Sequence, residues 1–339
     1  MNIEAILGVL VLCVLAVNAT VWLVIGRRMS QGVDLLPYVP RRLVPWDGLR
    51  VALAFLIYLG LTAALVLPVA RMLVEANDAT RLTAGLIATA VGHLAAVLVI
   101  AKLLSDACGA TGRDLGLSGG TFLGDVRLGA ITFLAVAPPV YLLQTLLARF
   151  SDQKHGVIEM LEENQTPMLF AAAAFVAVIV APIAEEFLFR VVLQGWLERR
   201  FDIGSPDAAR IVEAEQFDSD SSADQAAAEE PSLETSPLAA NNPYESPQSP
   251  PAQWPLAARQ TAAIRGPEIV PIVISSAVFA AFHIGQGMAP VSLFFLALAL
   301  GFLYQRTHRI VPCITVHLLL NGTSMTLLWL FLKYDLMNP

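Results

Sequence analysis

Charge is scarce in this sequence. Asp, Glu, Lys and Arg supply 14% of its 339 residues, where a soluble domain carries nearer a quarter. Hydrophobic residues supply 56%, with a mean hydropathy of +0.64, so an ordinary soluble fold is excluded. Cysteine is equally sparse. Cys13, Cys108 and Cys313 share no motif spacing; they read as small apolar core or lipid-facing residues and argue against a cysteine metal cluster or a cysteine protease. Apolar runs do not alternate with period two, which argues against a transmembrane barrel. The glycines at 109, 112, 116, 119 and 120 follow no strand and precede no Gly-Lys-Ser/Thr, so they form no phosphate loop. No basic stretch precedes Ile6–Ile25, which reads as a retained helix, not a cleaved signal. His-Glu-x-x-His is absent, as are internal repeats with paired broken helices.

What the chain has instead is long apolar runs that approach or exceed the roughly 18–20 residues needed to cross a bilayer. They predict an all-α polytopic membrane helix bundle of about eight membrane segments: Ile6–Ile25, Val51–Val74, Leu82–Leu104, Val126–Leu147, Met168 through the first motif to Arg200, and then Ile269–Phe282, Val291–Tyr304 and Val311–Leu332. Pro138-Pro139 is expected to kink or break the fourth. Arg27, Arg28, Arg41, Arg42 and Arg50 share one short loop, which the positive-inside rule places in the cytoplasm. Alternation then puts both termini outside, in a multi-pass protein of the plasma (inner) membrane. His93 lies in the third segment with no acidic or cysteine neighbour at helical spacing, and reads as a packed or hydrogen-bonded interior histidine. Glu159, Glu162 and Glu163 read as a solvated amphipathic turn of helix.

The net charge of −7 belongs to one stretch. Phe201–Arg265 carries eleven acidic and three basic residues, which leaves the rest of the chain close to neutral. This stretch is rich in Ser, Ala, Pro, Asn and Gln and cannot bury enough apolar surface to offset its ordering entropy. It is expected to be a disordered cytoplasmic insertion. The chain thus divides into N-terminal transmembrane helices (1–150), a first core piece (151–200), the insertion (201–265) and a second core piece (266–335). No nucleic-acid partner is expected; the lipid bilayer is.

Ionisable groups inside apolar runs are costly and mark function. Ala184-Glu185-Glu186-Phe187-Leu188-Phe189-Arg190 places two carboxylates and a guanidinium at the end of such a run. Glu186 and Arg190 are four apart, acid before base, the favourable order for a helical ion pair. Glu185 is rotated about 100° away and escapes it. An ion pair that merely stabilises packing accounts for Glu186 and Arg190 and leaves Glu185 unexplained. Downstream, Phe279 and His283 are four apart, as are His317 and Asn321. Each histidine alone is more often a satisfied interior residue than a catalyst.

Taken in order, Glu-Glu-x-x-x-Arg, Phe-x-x-x-His and His-x-x-x-Asn on apolar segments resemble the three motifs of the CPBP intramembrane proteases, which include the CAAX prenyl endopeptidases of the Rce1 type and the bacterial Abi proteins. The resemblance covers roughly Met168–Leu328 without the insertion. It implies a helical bundle whose polar residues line a cavity open to the cytoplasm, and hydrolysis of peptide bonds at or within the membrane. In that reading Glu185 activates a water with help from His283, His317 and Asn321 stabilise the oxyanion, and Arg190 orients Glu186. The substrate is a peptide or membrane protein, prenylated in the CAAX branch of the family. Glu185, His283 and His317 would also make a His₂Glu zinc set; no cofactor is certain, and the metal question stays open. A catalytically silent scaffold or immunity protein and a proton-coupled transporter are the alternatives.

Depth constrains this reading. Glu185 lies about fifteen residues, roughly 22 Å of helix, before Arg200, whereas His283 ends a short segment. The two meet only if Ile269–Phe282 is tilted or partly spans, with Gly285-Gln286-Gly287 turning at membrane depth, where irregular backbone must line a cavity or be buried in protein. A His283–Glu185 separation within about 10 Å is required for a common site.

Overall fold

The computed structural model describes residues 3–36, 39, 43–117, 120–150, 156–202 and 266–334. The expected disorder of the acidic insertion lies outside them from residue 203 onwards, as do Arg41 and Arg42. Every regular element among the described residues is helical: α1 (Ile3–Ser30), α2 (Gly48–Met72), α3 (Asp78–Cys108), α4 (Phe122–Leu147), α5 (Gly156–Glu163), α6 (Pro167–Phe201), α7 (Gly266–Ala281), α8 (Ala289–Thr307) and α9 (Ile310–Lys333). Seven of them are long and apolar enough to cross a membrane, and α7 adds a shorter apolar stretch, Ile269–Ala281. The protein is an integral multi-pass membrane protein with the expected set of segments.

Composition within the bundle follows position. Half of the α8 span is buried and none of α1 is, so α8 and α9 form the centre while α1 lies at the edge against α4. Large apolar side chains such as Leu12, Leu56 and Leu98 face outward, which is costly in water and fitting in lipid. Tight helix contacts use small residues, as lipid-embedded packing requires. A Cβ on Gly129 of α4 would lie 2.6 Å from Thr315 Cβ and 2.7 Å from the Pro312 carbonyl oxygen of α9. Neither neighbour is the free end of a flexible chain. Gly129→Ala is therefore expected to cost about 1–3 kcal/mol, read as a lower thermal midpoint in detergent.

Prolines inside helices free carbonyls, and other helices satisfy them. Pro138 and Pro139 do not end α4. Their missing N–H groups leave the Leu134 and Ala135 carbonyls without helical partners. Asn18 Nδ2 of α1 donates to the first and Trp22 Nε1 to the second, at 3.1 Å for the tryptophan. In hydrocarbon, where no water can serve, these bonds are what makes the proline pair tolerable.

Helix α6 is not a uniform α-helix. Val176–Val180 and Phe187–Gln194 are π-helical, with i→i+5 bonding; such wide turns recur at functional sites. In the first, the Ala181 N–H bonds the Val176 carbonyl. The Ala177 carbonyl thereby loses its α partner, and its π partner would be Pro182, which has no N–H. The second is pinned from outside: Ser275 Oγ donates to the Phe189 carbonyl at 3.1 Å, and Trp46 Nε1 to the Val192 carbonyl at 3.0 Å.

Gln305–Thr307 are the last turn of α8 and are buried, as is His308. The reversal between α8 and α9 falls at His308-Arg309, with His308 in the left-handed region at φ 49° and bonded through Nε2 to buried Glu198 at 3.2 Å. Glu159–Glu163 does form a short helix, α5, and that helix also buries Leu161 against Leu169 and Met325.

Candidate active site

The site forms where α6, α7 and α9 meet. Glu186 is fully buried, and both its oxygens are engaged. Arg190 Nε donates to Oε2 at 3.0 Å, and His317 Nδ1 lies 2.9 Å from Oε1. The carboxylate is paired with a guanidinium, so it accepts, and the His317 proton sits on Nδ1. Arg190 is itself fully buried. Its Nη1 donates to Ser275 Oγ at 3.0 Å, and its guanidinium lies 5.5 Å from the centre of the Phe279 ring, within range of a cation–π contact.

Glu185 differs from its neighbour in every respect. Its side chain is 17% exposed, and its nearest recorded charged partner is His317 Nε2, 3.8 Å from Oε2, beyond hydrogen-bond range. Among the described residues Glu185 Oε2 has no hydrogen-bond partner. The helical spacing that separates the two glutamates is thus realised: one is tied off, the other is free.

Phe279 brings in the second motif. Its ring is fully buried and lies 4.8 Å from the His283 ring and 6.1 Å from the His317 ring, centre to centre. His283 Nδ1 is 2.8 Å from the Phe279 carbonyl; a carbonyl can only accept, so this ring also carries its proton on Nδ1 and presents the Nε2 lone pair. His283 lies within electrostatic reach of Glu185. Helix α7 ends at Ala281, and residues 282–288 turn with Gly285 at φ 100° and Gly287 at φ 58°. That is the expected turn, and it uses the two glycines because only they enter the left-handed region without strain.

Asn321 Nδ2 donates to the Ala177 carbonyl at 2.8 Å, the carbonyl freed by the first π turn. One of its two N–H groups is therefore committed to α6, and the other is left over.

Several contributors lie beyond the three motifs. Glu186, Arg190, Gln194 and Glu198 make a buried stripe at a spacing of four, with Gln194 Nε2 donating to Glu198 Oε1 at 3.0 Å and to the Gly301 carbonyl at 2.8 Å. That repeat is visible in the sequence once the first motif is extended. Ser275-Ser276 also stands out within an apolar run. The partner of His93 does not: Tyr58 OH lies 3.0 Å from His93 Nε2, and Tyr58 arrives from a different helix.

Glu185, His283 and His317 have the donor chemistry of a zinc set. Both rings give their Nδ1–H to an oxygen and keep Nε2 free, the arrangement of metal-binding histidines. Their spacing does not fit: among the described residues no three His, Cys, Asp or Glu side chains converge on one ion position.

Residues 167–214 and 254–323 match the family described as type II CAAX prenyl endopeptidase Rce1-like. The two stretches contain all three motifs and reach into both ends of the acidic insertion. Over these stretches, about a third of the chain, the protein is similar to the Rce1-like family, in keeping with the CPBP motifs it resembles. No curated protein and no solved structure matches the chain at a significant level.

Proposed function

We propose that this protein is a membrane-embedded endopeptidase of the CAAX type, with Glu185 as general base. The observation that carries the reading is the asymmetry of the glutamate pair: Glu186 has both oxygens bonded, whereas Glu185 Oε2 has no hydrogen-bond partner and faces His317 at 3.8 Å. A water between Glu185 and the His283 Nε2 lone pair would give its proton to Glu185 as it attacks the scissile carbonyl. The oxyanion so formed accepts from His317, when Nε2 carries a proton, and from the second N–H of Asn321. Each such donor is worth a few kcal/mol in known hydrolases. Collapse of the tetrahedral centre breaks the C–N bond, and Glu185 returns the proton to the leaving amine. Arg190 does not touch the substrate; with Ser275 it holds Glu186, and Glu186 holds the His317 ring.

The substrate class proposed is a prenylated peptide ending in a CAAX sequence, entering from the bilayer of the plasma (inner) membrane. The insertion would lie on the cytoplasmic side. The core of the activity would be residues 151–200 and 266–335. Cleavage of such a peptide in membranes by the wild type, and its loss in both Glu185→Ala and His317→Ala, is the expected result. Unchanged cleavage by both variants would remove the protease mechanism.

A further inference from the structure

Helices α2 and α3 carry none of the three motifs and lie outside the matched stretches, yet they wall the site. Gly48 of α2 meets Trp196 of α6; a Cβ there would sit 2.8 Å from the indole. Phe55 meets Phe189 with ring centres 5.6 Å apart. Seven residues up α2 thus correspond to seven residues back along α6, an antiparallel register. One further turn along α2, at Tyr58, reaches the depth of Glu185 and Glu186. Phe55 also packs 5.6 Å from Phe282, the residue before His283, so this face of α2 looks onto the site. Helix α3 in turn packs on the Ala181–Glu186 segment of α6. Tyr58 lies within electrostatic reach of Glu185.

Tyr58 is held from behind. Its ring stacks on His93, centres 4.7 Å apart and planes 26° from parallel. Gly92 fixes that pairing, because a Cβ there would lie 2.9 Å from Thr62 Cα. The hydroxyl is 3.0 Å from His93 Nε2, and His93 Nδ1 is buried without a hydrogen-bond partner among the described residues. A neutral imidazole carries one proton. Placed on Nδ1, that proton would be an orphaned buried N–H, the rarer and costlier state. Placed on Nε2, it is donated to the Tyr58 oxygen, and the phenolic hydrogen is left free.

We propose that Tyr58 is a further catalytic residue, its hydroxyl donating to the tetrahedral oxyanion, with His93 as its positioning residue. The proposal rests on the peptidase reading above. It supplies a donor that the three motifs leave short, since Asn321 spends one N–H on α6 and His317 spends Nδ1 on Glu186.

The test uses the full-length protein in proteoliposomes and a fluorogenic farnesylated peptide ending in a Cys-aliphatic-aliphatic-X sequence. Tyr58→Phe keeps the ring and its stack. It is expected to lower kcat about 100-fold, the usual effect of removing one oxyanion donor, with KM unchanged and the thermal midpoint lowered, because His93 loses the acceptor of its buried N–H. His93→Gln, whose amide can still donate to the Tyr58 oxygen, is expected to retain more activity than His93→Leu. Wild-type kcat in Tyr58→Phe, a loss confined to KM, or equal activity in His93→Gln and His93→Leu would overturn the proposal. Glu185→Gln run alongside separates the two readings. If it is inactive while Tyr58→Phe is fully active, this inference alone fails; if it is active, the peptidase reading beneath it fails as well.

Discussion

Glu185→Gln is expected to reduce peptide cleavage by about 10²–10⁴-fold, the range supplied by a positioned general base, with little change in fold stability. The substitution keeps the shape of the side chain and removes only its ability to take a proton. Among the described residues Glu185 Oε2 makes no hydrogen bond that could be lost, and the side chain is partly exposed. Glu186→Gln should behave in the opposite way. Its oxygens bond Arg190 and His317, so that variant loses stability as well as activity. Rates and thermal midpoints measured on both variants in one detergent separate the roles: Glu185→Gln moves the rate alone, and Glu186→Gln moves both.

Arg190→Met is expected to be the most damaging single change to the fold, costing about 3–5 kcal/mol, the usual effect of removing one partner of a buried ion pair. Neither Glu186 nor Arg190 exposes any surface. Methionine fills most of the volume but leaves the Glu186 carboxylate without a counter-charge at membrane depth, and Ser275 without a donor. The double variant Glu186→Gln/Arg190→Met removes the orphaned charge and should regain much of the loss, since a buried pair is often no more stable than its uncharged replacement. It should stay well below wild-type activity, because a neutral amide at 186 that Arg190 no longer holds fixes the His317 ring less firmly than the carboxylate does. A thermal unfolding series of the two single variants and the double gives the coupling directly.

Much of this architecture is legible in the sequence because membrane depth leaves few choices. Apolar runs of about twenty residues announce the spans, and the scarcity of charge makes each buried carboxylate conspicuous. The separation of Glu185 from Glu186 needs only the 100° step of a helix. The turn after His283 follows from two glycines and a short segment. What the sequence conceals is contact between distant helices. Nothing local ties Tyr58 to His93, thirty-five residues on, or Asn321 to the Ala177 carbonyl. The second of these depends on a π turn that shifts the bonding of α6 by one residue, a register change with no compositional mark apart from Pro182. The burial of Gln305–His308 is hidden for a related reason. Nothing local marks the partners of the charges there, and only the fold shows Glu198 opposite His308 and Asp125 opposite Arg309.

The most direct measurement is the mass of the products formed when the purified protein in proteoliposomes meets a farnesylated CAAX peptide in ¹⁸O-labelled water. Hydrolysis by a Glu185-activated water predicts a released tripeptide and a prenylated fragment whose new carboxylate carries one ¹⁸O, with both products absent for Glu185→Gln. Intact peptide after incubation with the wild-type protein, or the same products at the same rate from Glu185→Gln, would contradict it.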